Sequence, residues 1–264
     1  MRHRLAQAVC HLEALERTPT RVTPLRQRDG RALLLVTVGY IATMLSVPTA
    51  HLSELLLFAS YPILTARLAG VRYATLVRQS LIVVPFVAGV GIFNLFEQTE
   101  PVFRIGPVTV TAGWITLLSI VLRGLLSLQA LLLLIRTTGW HRLCRTLQRI
   151  GVPEPFTTQL LFVHRYLCVL LREGITLSMA REARSFGCRS YPLRVWGPLI
   201  GQLLLRTFDR AERIGQAMAA RGFTGRMPDP LRSDTRWQTG DTHYLLAWGA
   251  LFAALRLLSP ERIF

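Results

Sequence analysis

The sequence predicts an all-α integral membrane protein of about five transmembrane helices, with a polar, arginine-rich region of two long helices ahead of the last span. Three observations carry this. Of 264 residues, 51% are hydrophobic, and the mean hydropathy is +0.36, too apolar for an ordinary soluble domain. The apolar residues are bunched into runs rather than spread along the chain. The basic residues fall between those runs instead of forming one face or tail. The formal charge of +16 therefore describes orientation in a membrane, and no nucleic-acid partner is expected.

Residues 1–30 are polar, carry six arginines before Arg31, and read as a cytoplasmic segment with an amphipathic stretch around Leu5 to Leu15, not as a cleavable signal peptide. Residues 31–135 form a four-span region. The first span runs from about Ala32 to Val47, ending at Pro48. The second runs from about Leu52 to Ala66, with Glu54 near its outer end. Both fall short of the roughly 20 residues of a full crossing, which suits a tight re-entrant connection. Arg67, Arg72 and Arg78 form a basic linker before the third run, about Leu81 to Phe96. Glu97 to Gly113 is turn-rich. Its Val102-Phe103-Arg104-Ile105 and Val108-Thr109-Val110-Thr111 flank Gly106-Pro107 and read as a small hairpin or loop. The fourth span, about Trp114 to Ile135, is interrupted by Arg123.

Residues 136–240 read as cytoplasmic. Arg136 to Ile150 is a basic linker, and Gly151-Val152-Pro153-Glu154-Pro155 stops and restarts the chain. A helical pattern starts at Thr157, with Leu160, Val163, Leu167, Leu170, Gly174 and Ile175 on one side, and ends at Gly187. His164, Arg165, Arg172 and Glu173 interrupt it. One charge at the bilayer centre costs about 2.5–3.5 kcal/mol, so this helix lies against or beneath the membrane. Pro192 to Leu205 is apolar but broken by Arg194, Gly197, Pro198 and Gly201. A further helix spans about Leu203 to Arg221, with Leu204, Phe208, Ala211, Ile214 and Met218 on its apolar face and Asp209 and Arg213 placed to pair. Arg226 to Asp241 is a polar linker. Residues 241–264 hold the last span, His243 to Leu258, and the C-terminus.

Arginines set the orientation. The N-terminus, the 67–78 linker and the region after Arg136 are arginine-rich, whereas the 48–51 and 97–113 connections hold Arg104 alone between them. Four spans with the N-terminus inside satisfy the positive-inside rule at every loop. If the 157–175 and 191–205 runs also crossed, the two motifs described next would face opposite sides of the membrane.

Those motifs are Ala183-Arg184-Ser185-Phe186-Gly187 and Ala220-Arg221-Gly222-Phe223-Thr224-Gly225, with arginines 37 positions apart, each closing a helical run. An arginine among small residues at a helix end suits docking: the small neighbours allow close approach, and the guanidinium forks onto a carboxylate. Gly222 stands where a helix C-cap belongs. The plain alternative for either motif alone is an arginine snorkelling to lipid headgroups.

Catalytic and metal chemistry finds little support. All 31 basic residues are arginine, which excludes a Walker A lysine and Schiff-base chemistry. Cys10, Cys144, Cys168 and Cys188 form no Cys-x-x-Cys pair. His3, His11, His51, His141, His164 and His243 show no His-Glu-x-x-His and no i,i+4 pair. Glu54 and Glu97 near span ends read as interfacial residues rather than proton relays. No nucleophile elbow, paired catalytic carboxylate or nucleotide fingerprint is present. The chain does not read as an enzyme, and no metal or cofactor site is expected in it.

The two motifs in order, behind four spans, resemble the transmembrane T component of energy-coupling factor (ECF) transporters. Ala220-Arg221-Gly222 matches that family's Ala-Arg-Gly signature fully; the first copy departs from it at Ser185. Ala-Arg-Ser-Phe-Gly, Gly151-Val152-Pro153 and Met218-Ala219-Ala220-Arg221-Gly222-Phe223 resemble its cobalt and nickel branch, including the CbiQ-like permeases. The resemblance implies two cytoplasmic coupling helices ending at Ala183, Arg184, Ser185 and at Ala220, Arg221, Gly222, with Phe186, Gly187 and Phe223 at the helix ends. It implies two ABC ATPase subunits as partners, carrying ATP and Mg, and a separate substrate-binding membrane (S) component. It also implies a multi-pass place in the cell membrane. The substrate would be cobalt or nickel; a vitamin-specific complex of the same kind, or a self-sufficient secondary transporter, are the alternatives.

Overall fold

The computed structural model describes residues 24–48, 52–97, 101–105, 108–184, 193–225 and 237–257. They fall into two units, one of residues 24–143 with 237–257 and one of residues 144–225. The amphipathic stretch read at Leu5 to Leu15, and Cys10 and Cys188, lie outside the described residues.

In the first unit, Asp29 caps helix α1 (Gly30–Leu45), its carboxylate accepting the Arg31 N–H at 3.0 Å. Leu33, Val36, Tyr40 and Met44 recur at helical spacing and are buried. The run read as one second span is two short helices, α2 (Leu52–Phe58) and α3 (Ser60–Leu68), broken at Ala59. Pro62 is the reason for part of this: it has no N–H to return to the Phe58 carbonyl. The Tyr40 hydroxyl takes that carbonyl instead, donating at 3.1 Å. Tyr40 stacks on Tyr61 at 4.3 Å, and Tyr61 meets Trp248 edge-on at 4.7 Å, so the proline break sits in the aromatic centre of the unit.

The third apolar run starts earlier than the sequence suggested. Helix α4 (Tyr73–Ser80) takes in Arg78 and passes through a 3₁₀ turn, Leu81–Val83, into α5 (Val84–Glu97). Pro85 cannot donate to Leu81, so the Val84 N–H reaches that carbonyl and the helix tightens locally. Strands β1 (Pro101–Ile105) and β2 (Val108–Thr111) pair antiparallel as the expected hairpin. Helix α6 (Ala112–Thr138) is the central element, packed against α1 to α5. It lies closest to α5, where a Cβ added at Gly124 would come within 3.1 Å of Val87. A polar seam joins it to α4: Tyr73 donates to Gln129 at 3.1 Å and Arg136 to Gln79 at 2.8 Å. Arg123 is partly buried, and its Nη2 donates to the Val47 carbonyl at 2.6 Å, just past α1.

The stretch expected to be a linker at 136–150 holds an amphipathic helix, α7 (Trp140–Ile150), with Cys144 buried and Gln148 and Arg149 exposed. In the second unit, α8 (Glu154–Arg184) and α9 (Leu193–Ala220) are 31 and 28 residues long, roughly 46 and 42 Å at 1.5 Å per residue. Helix α9 absorbs what read as two segments. Pro198 is its sixth residue, near enough to the N-terminus that only the Arg194 carbonyl loses a partner. The last helix, α10 (Thr239–Leu257), returns to the first unit, where Trp248 and Phe252 join the core of α1, α2, α3 and α6.

Two buried carboxylates fix the start of α1 to the start of α10. Asp241 accepts the Gln238 N–H at 3.0 Å, as in a capping box, and the Asp29 N–H at 3.4 Å. Arg28 donates to the Gly240 carbonyl and lies 3.8 Å from Asp241, and Arg142 donates to the Arg28 carbonyl. Two helical stretches among the described residues are long and apolar enough to cross a membrane: Tyr73–Ile92 and Gly113–Thr138. Helix α1 is apolar but has 16 residues, about 24 Å against a hydrocarbon core of about 30 Å.

Candidate functional site: two arginine-bearing helix ends

The second motif is a helix cap written in sequence. Helix α9 ends at Ala220, and Gly222 follows with φ +76°, in the left-handed region that favours glycine. The Gly222 N–H bonds the Ala219 carbonyl at 3.0 Å, and the Phe223 N–H bonds the Met218 carbonyl at 3.0 Å. This pair of bonds is a Schellman motif, and Phe223 and Met218 line the same groove, its usual apolar companion contact. Arg221 is thereby held at the tip of the helix, exposed, where its positive charge also complements the negative end of the helix dipole. Ala220 is exposed beside it. The same bond pattern closes α7 at Gly151, φ +112°, with Val152 N–H on the Leu147 carbonyl at 3.1 Å.

At the first motif, Ala183 and Arg184 are the last two residues of α8, and both are exposed. Ser185, Phe186 and Gly187 lie outside the described residues, so the expected end at Gly187 is seen only as far as Arg184. Both arginines belong to one unit, each on the closing turn of a long helix.

Helices α8 and α9 meet through an apolar groove and an ionic clasp. The groove, about 490 Å³, is lined by Phe162, Tyr166, Val169 and Leu170 of α8 and by Phe208, Ala211, Ile214 and Met218 of α9. Phe223 closes one end, its ring 6.3 Å from that of Phe162. Of the α9 face read from the sequence, Phe208, Ala211, Ile214 and Met218 line the groove and Leu204 does not. The α8 face is turned from the expected one: Val163 and Leu167 are exposed, and Phe162, Tyr166 and Val169 take their place. In the clasp, Arg206 Nη1 donates to Glu173 Oε1 at 2.7 Å, and Arg210 lies 3.8 Å from the other oxygen. Sequence reading missed this pair, because residues 33 apart meet only through the helix crossing. The expected Asp209–Arg213 pair is replaced by a bond from Arg213 Nε to the Asp209 main-chain oxygen, 3.1 Å.

A second groove, about 340 Å³, lies toward the end of α8. Arg181 and Arg184 line it from α8, and Gln202 and Arg206 line it from α9. Chemically, the unit offers exposed guanidinium forks at two helix ends and an apolar face between the helices. Guanidinium forks of this kind pair with carboxylates, and an apolar face suits apolar side chains.

The chain is similar to an uncharacterised protein of Methanocaldococcus jannaschii, 25% identical over 256 residues, which cover 92% of this chain and 86% of the other. It is 27% identical over 219 residues to a Methanocorpusculum labreanum protein named as a fused cobalt transport protein, CbiMQ, covering 79% of this chain and 36% of that longer one. A 99-residue stretch is 33% identical to the energy-coupling factor transporter transmembrane protein EcfT of Exiguobacterium sibiricum, covering 35% of this chain and 38% of EcfT. Residues 21–230 match the cobalt transport protein family CbiQ, a stretch that contains α1 to α9 and both arginine motifs. With its membrane-type helices and that match across most of its length, the chain belongs to the CbiQ family of cobalt transport proteins.

Proposed function

We propose that the chain is the transmembrane coupling (T) subunit of an ATP-driven ECF-type importer for cobalt or nickel ions. The observation that carries this is the paired helix ends: α8 and α9 each close on an exposed arginine beside alanine, and the Gly222 cap fixes how Arg221 is presented. In this reading the region 136–240 is cytoplasmic, and the protein crosses the cell membrane several times. Arg184 and Arg221 each enter a groove on one of two ABC ATPase subunits and pair with carboxylates there, while Ala183, Ala220 and Gly222 permit close approach. ATP and Mg belong to those partners. When the ATPase pair closes on ATP, the helix ends are carried together. The apolar face between α8 and α9 passes the movement to a separate substrate-binding membrane subunit.

The test is capture of the co-expressed ATPase subunits by wild type, Arg184→Glu, Arg221→Glu and the double variant, each checked for folding in membranes. A buried, paired arginine turned to glutamate costs a few kcal/mol, about a hundredfold or more in affinity. The expected result is weakened capture by each single variant and none by the double. Full capture by the folded double variant would leave both arginines as membrane-surface residues and remove the support for this function.

A further inference from the structure

We propose that Arg28 is the joint through which movement of the second unit enters the membrane helices, because it holds both chain crossings between the units to the start of α1. This rests on the reading of the chain as an ATPase-coupling subunit. Between residues 24 and 257 the chain passes from one unit to the other twice: inside α7, after Leu143, and again ahead of α10. On the first unit's side, both crossings are fastened to residue 28. The Arg142 guanidinium, on the first turn of α7, donates to the Arg28 carbonyl. The Arg28 guanidinium donates to the Gly240 carbonyl on the first turn of α10. It also lies 3.8 Å from the buried Asp241 carboxylate and 5.5 Å from the centre of the Tyr244 ring. Main chain and side chain of one residue thus hold two different helices.

The next residue, Asp29, caps α1, and its N–H donates to Asp241 at 3.4 Å. The same elements share an apolar cluster: Leu25 and Leu33 at the start of α1, Leu134 of α6, Leu143 of α7 and Tyr244 of α10. Without the Arg142 bond, movement of α7 would be taken up at its glycine elbow, Gly139, where φ is +77° between α6 and α7. With Arg142 and Gly240 both held, a pull on either crossing displaces the start of α1, and the packing of Leu33 with Leu134 carries it to α6. Arg28 and Arg142 are positioning residues that act by holding α7 and α10. Gly240 leaves room for this grip, since a Cβ there would come within 2.9 Å of Arg28 Nη1.

The experiment uses the full chain in proteoliposomes with the ATPase and substrate-binding subunits of the same genome. The readout is the number of cobalt or nickel ions taken up per ATP hydrolysed. Arg142→Met cuts the hold on α7 alone. Arg28→Met cuts the hold on α10 alone, since its carbonyl stays in place for Arg142. Each should bind the ATPase and hydrolyse ATP as the wild type does, while ions per ATP fall about fivefold or more, the usual scale of coupling between distant sites. Gly240→Ala is the mildest variant: its methyl group pushes the Arg28 guanidinium off the carbonyl, whereas alanine suits a helix better than glycine. It should melt no lower than the wild type and still lose coupling. A clamp that only stabilises the fold would lower uptake and hydrolysis in proportion, so an unchanged ratio in either assembled methionine variant overturns the proposal. So does a wild-type ratio in Gly240→Ala, which decides alone if the methionine variants do not assemble. In these cases ATP-driven uptake by the wild-type complex leaves the coupling function standing. Absence of ATP-driven uptake by that complex would remove the coupling function and the joint with it.

Discussion

Replacing Gly222 separates two reasons for a glycine beside Arg221. One is conformation: φ is +76°, and both its N–H and the Phe223 N–H are held in the cap. The other is space for a partner. Within the chain, a Cβ added at Gly222 meets nothing within 4 Å, so the cost of a side chain there is the backbone's alone. For alanine in the left-handed region this is about 1 kcal/mol. For a β-branched valine it is about 2, and for asparagine, which tolerates that region, a few tenths. Terminal helical turns open at nearly no cost. From that starting point a loss of about 1 kcal/mol makes the open end the major form and lowers affinity for the proposed ATPase partner about threefold. The assay is ATPase binding by Gly222→Asn, Gly222→Ala and Gly222→Val in nanodiscs, with amide exchange at Phe223 reporting the cap. The cap account gives the order Asn, Ala, Val from strongest to weakest binding, with exchange rising in step. If asparagine binds worse than alanine, size at the interface decides and the cap reasoning is wrong.

Further expectations follow from the first unit and from its cysteines. Asp241→Ala should lower stability by about 2–3 kcal/mol, since the carboxylate accepts the Gln238 and Asp29 N–H groups and lies near a half-exposed Arg28, and Asp241→Asn should recover part of it; thermal unfolding in detergent reads both. Arg123→Met should destabilise by about 1–2 kcal/mol through loss of the bond to Val47, whereas a lipid-facing arginine would give a gain; the same melt decides the sign. With Cys10 and Cys188 changed to serine, maleimide should label Cys168 quickly and Cys144 slowly. Burial both covers the Cys144 thiol and raises its pKa, so it holds less thiolate at neutral pH, and denaturant should abolish the difference.

Much of the helical frame was legible because its signals are local. The apolar run from Ala32 to Val47, the paired β-rich segments around Gly106-Pro107, and glycine after Arg221 are each signals within a few residues, and α1, the hairpin and the α9 cap stand near where they were expected. The misreadings came where a partner elsewhere in the chain changes a residue's meaning. Arg78 read as linker, but α4 carries it on a continuous helical path packed against α6. Pro198 read as a break, yet a proline in the second turn of a helix removes one bond and no more. Arg136 to Ile150 read as a linker from its charge, although Leu143 and Leu147 recur at helical spacing and Cys144 is buried. At the candidate site, Arg184 and Arg221 were visible as motifs. The Glu173–Arg206 clasp was not, because it depends on how two long helices cross.

The central claim is that this chain moves metal only as part of an ATP-driven complex. The most direct measurement is uptake of radioactive cobalt and nickel into proteoliposomes, with ATP hydrolysis followed in the same vesicles. One set holds the chain alone, one the complex reconstituted with the ATPase and substrate-binding subunits, and one the complex carrying Arg184→Glu and Arg221→Glu. The account predicts uptake in the complete wild-type complex alone, dependent on ATP and lost in the double variant. Metal uptake by the chain alone, driven by an ion gradient, would contradict it.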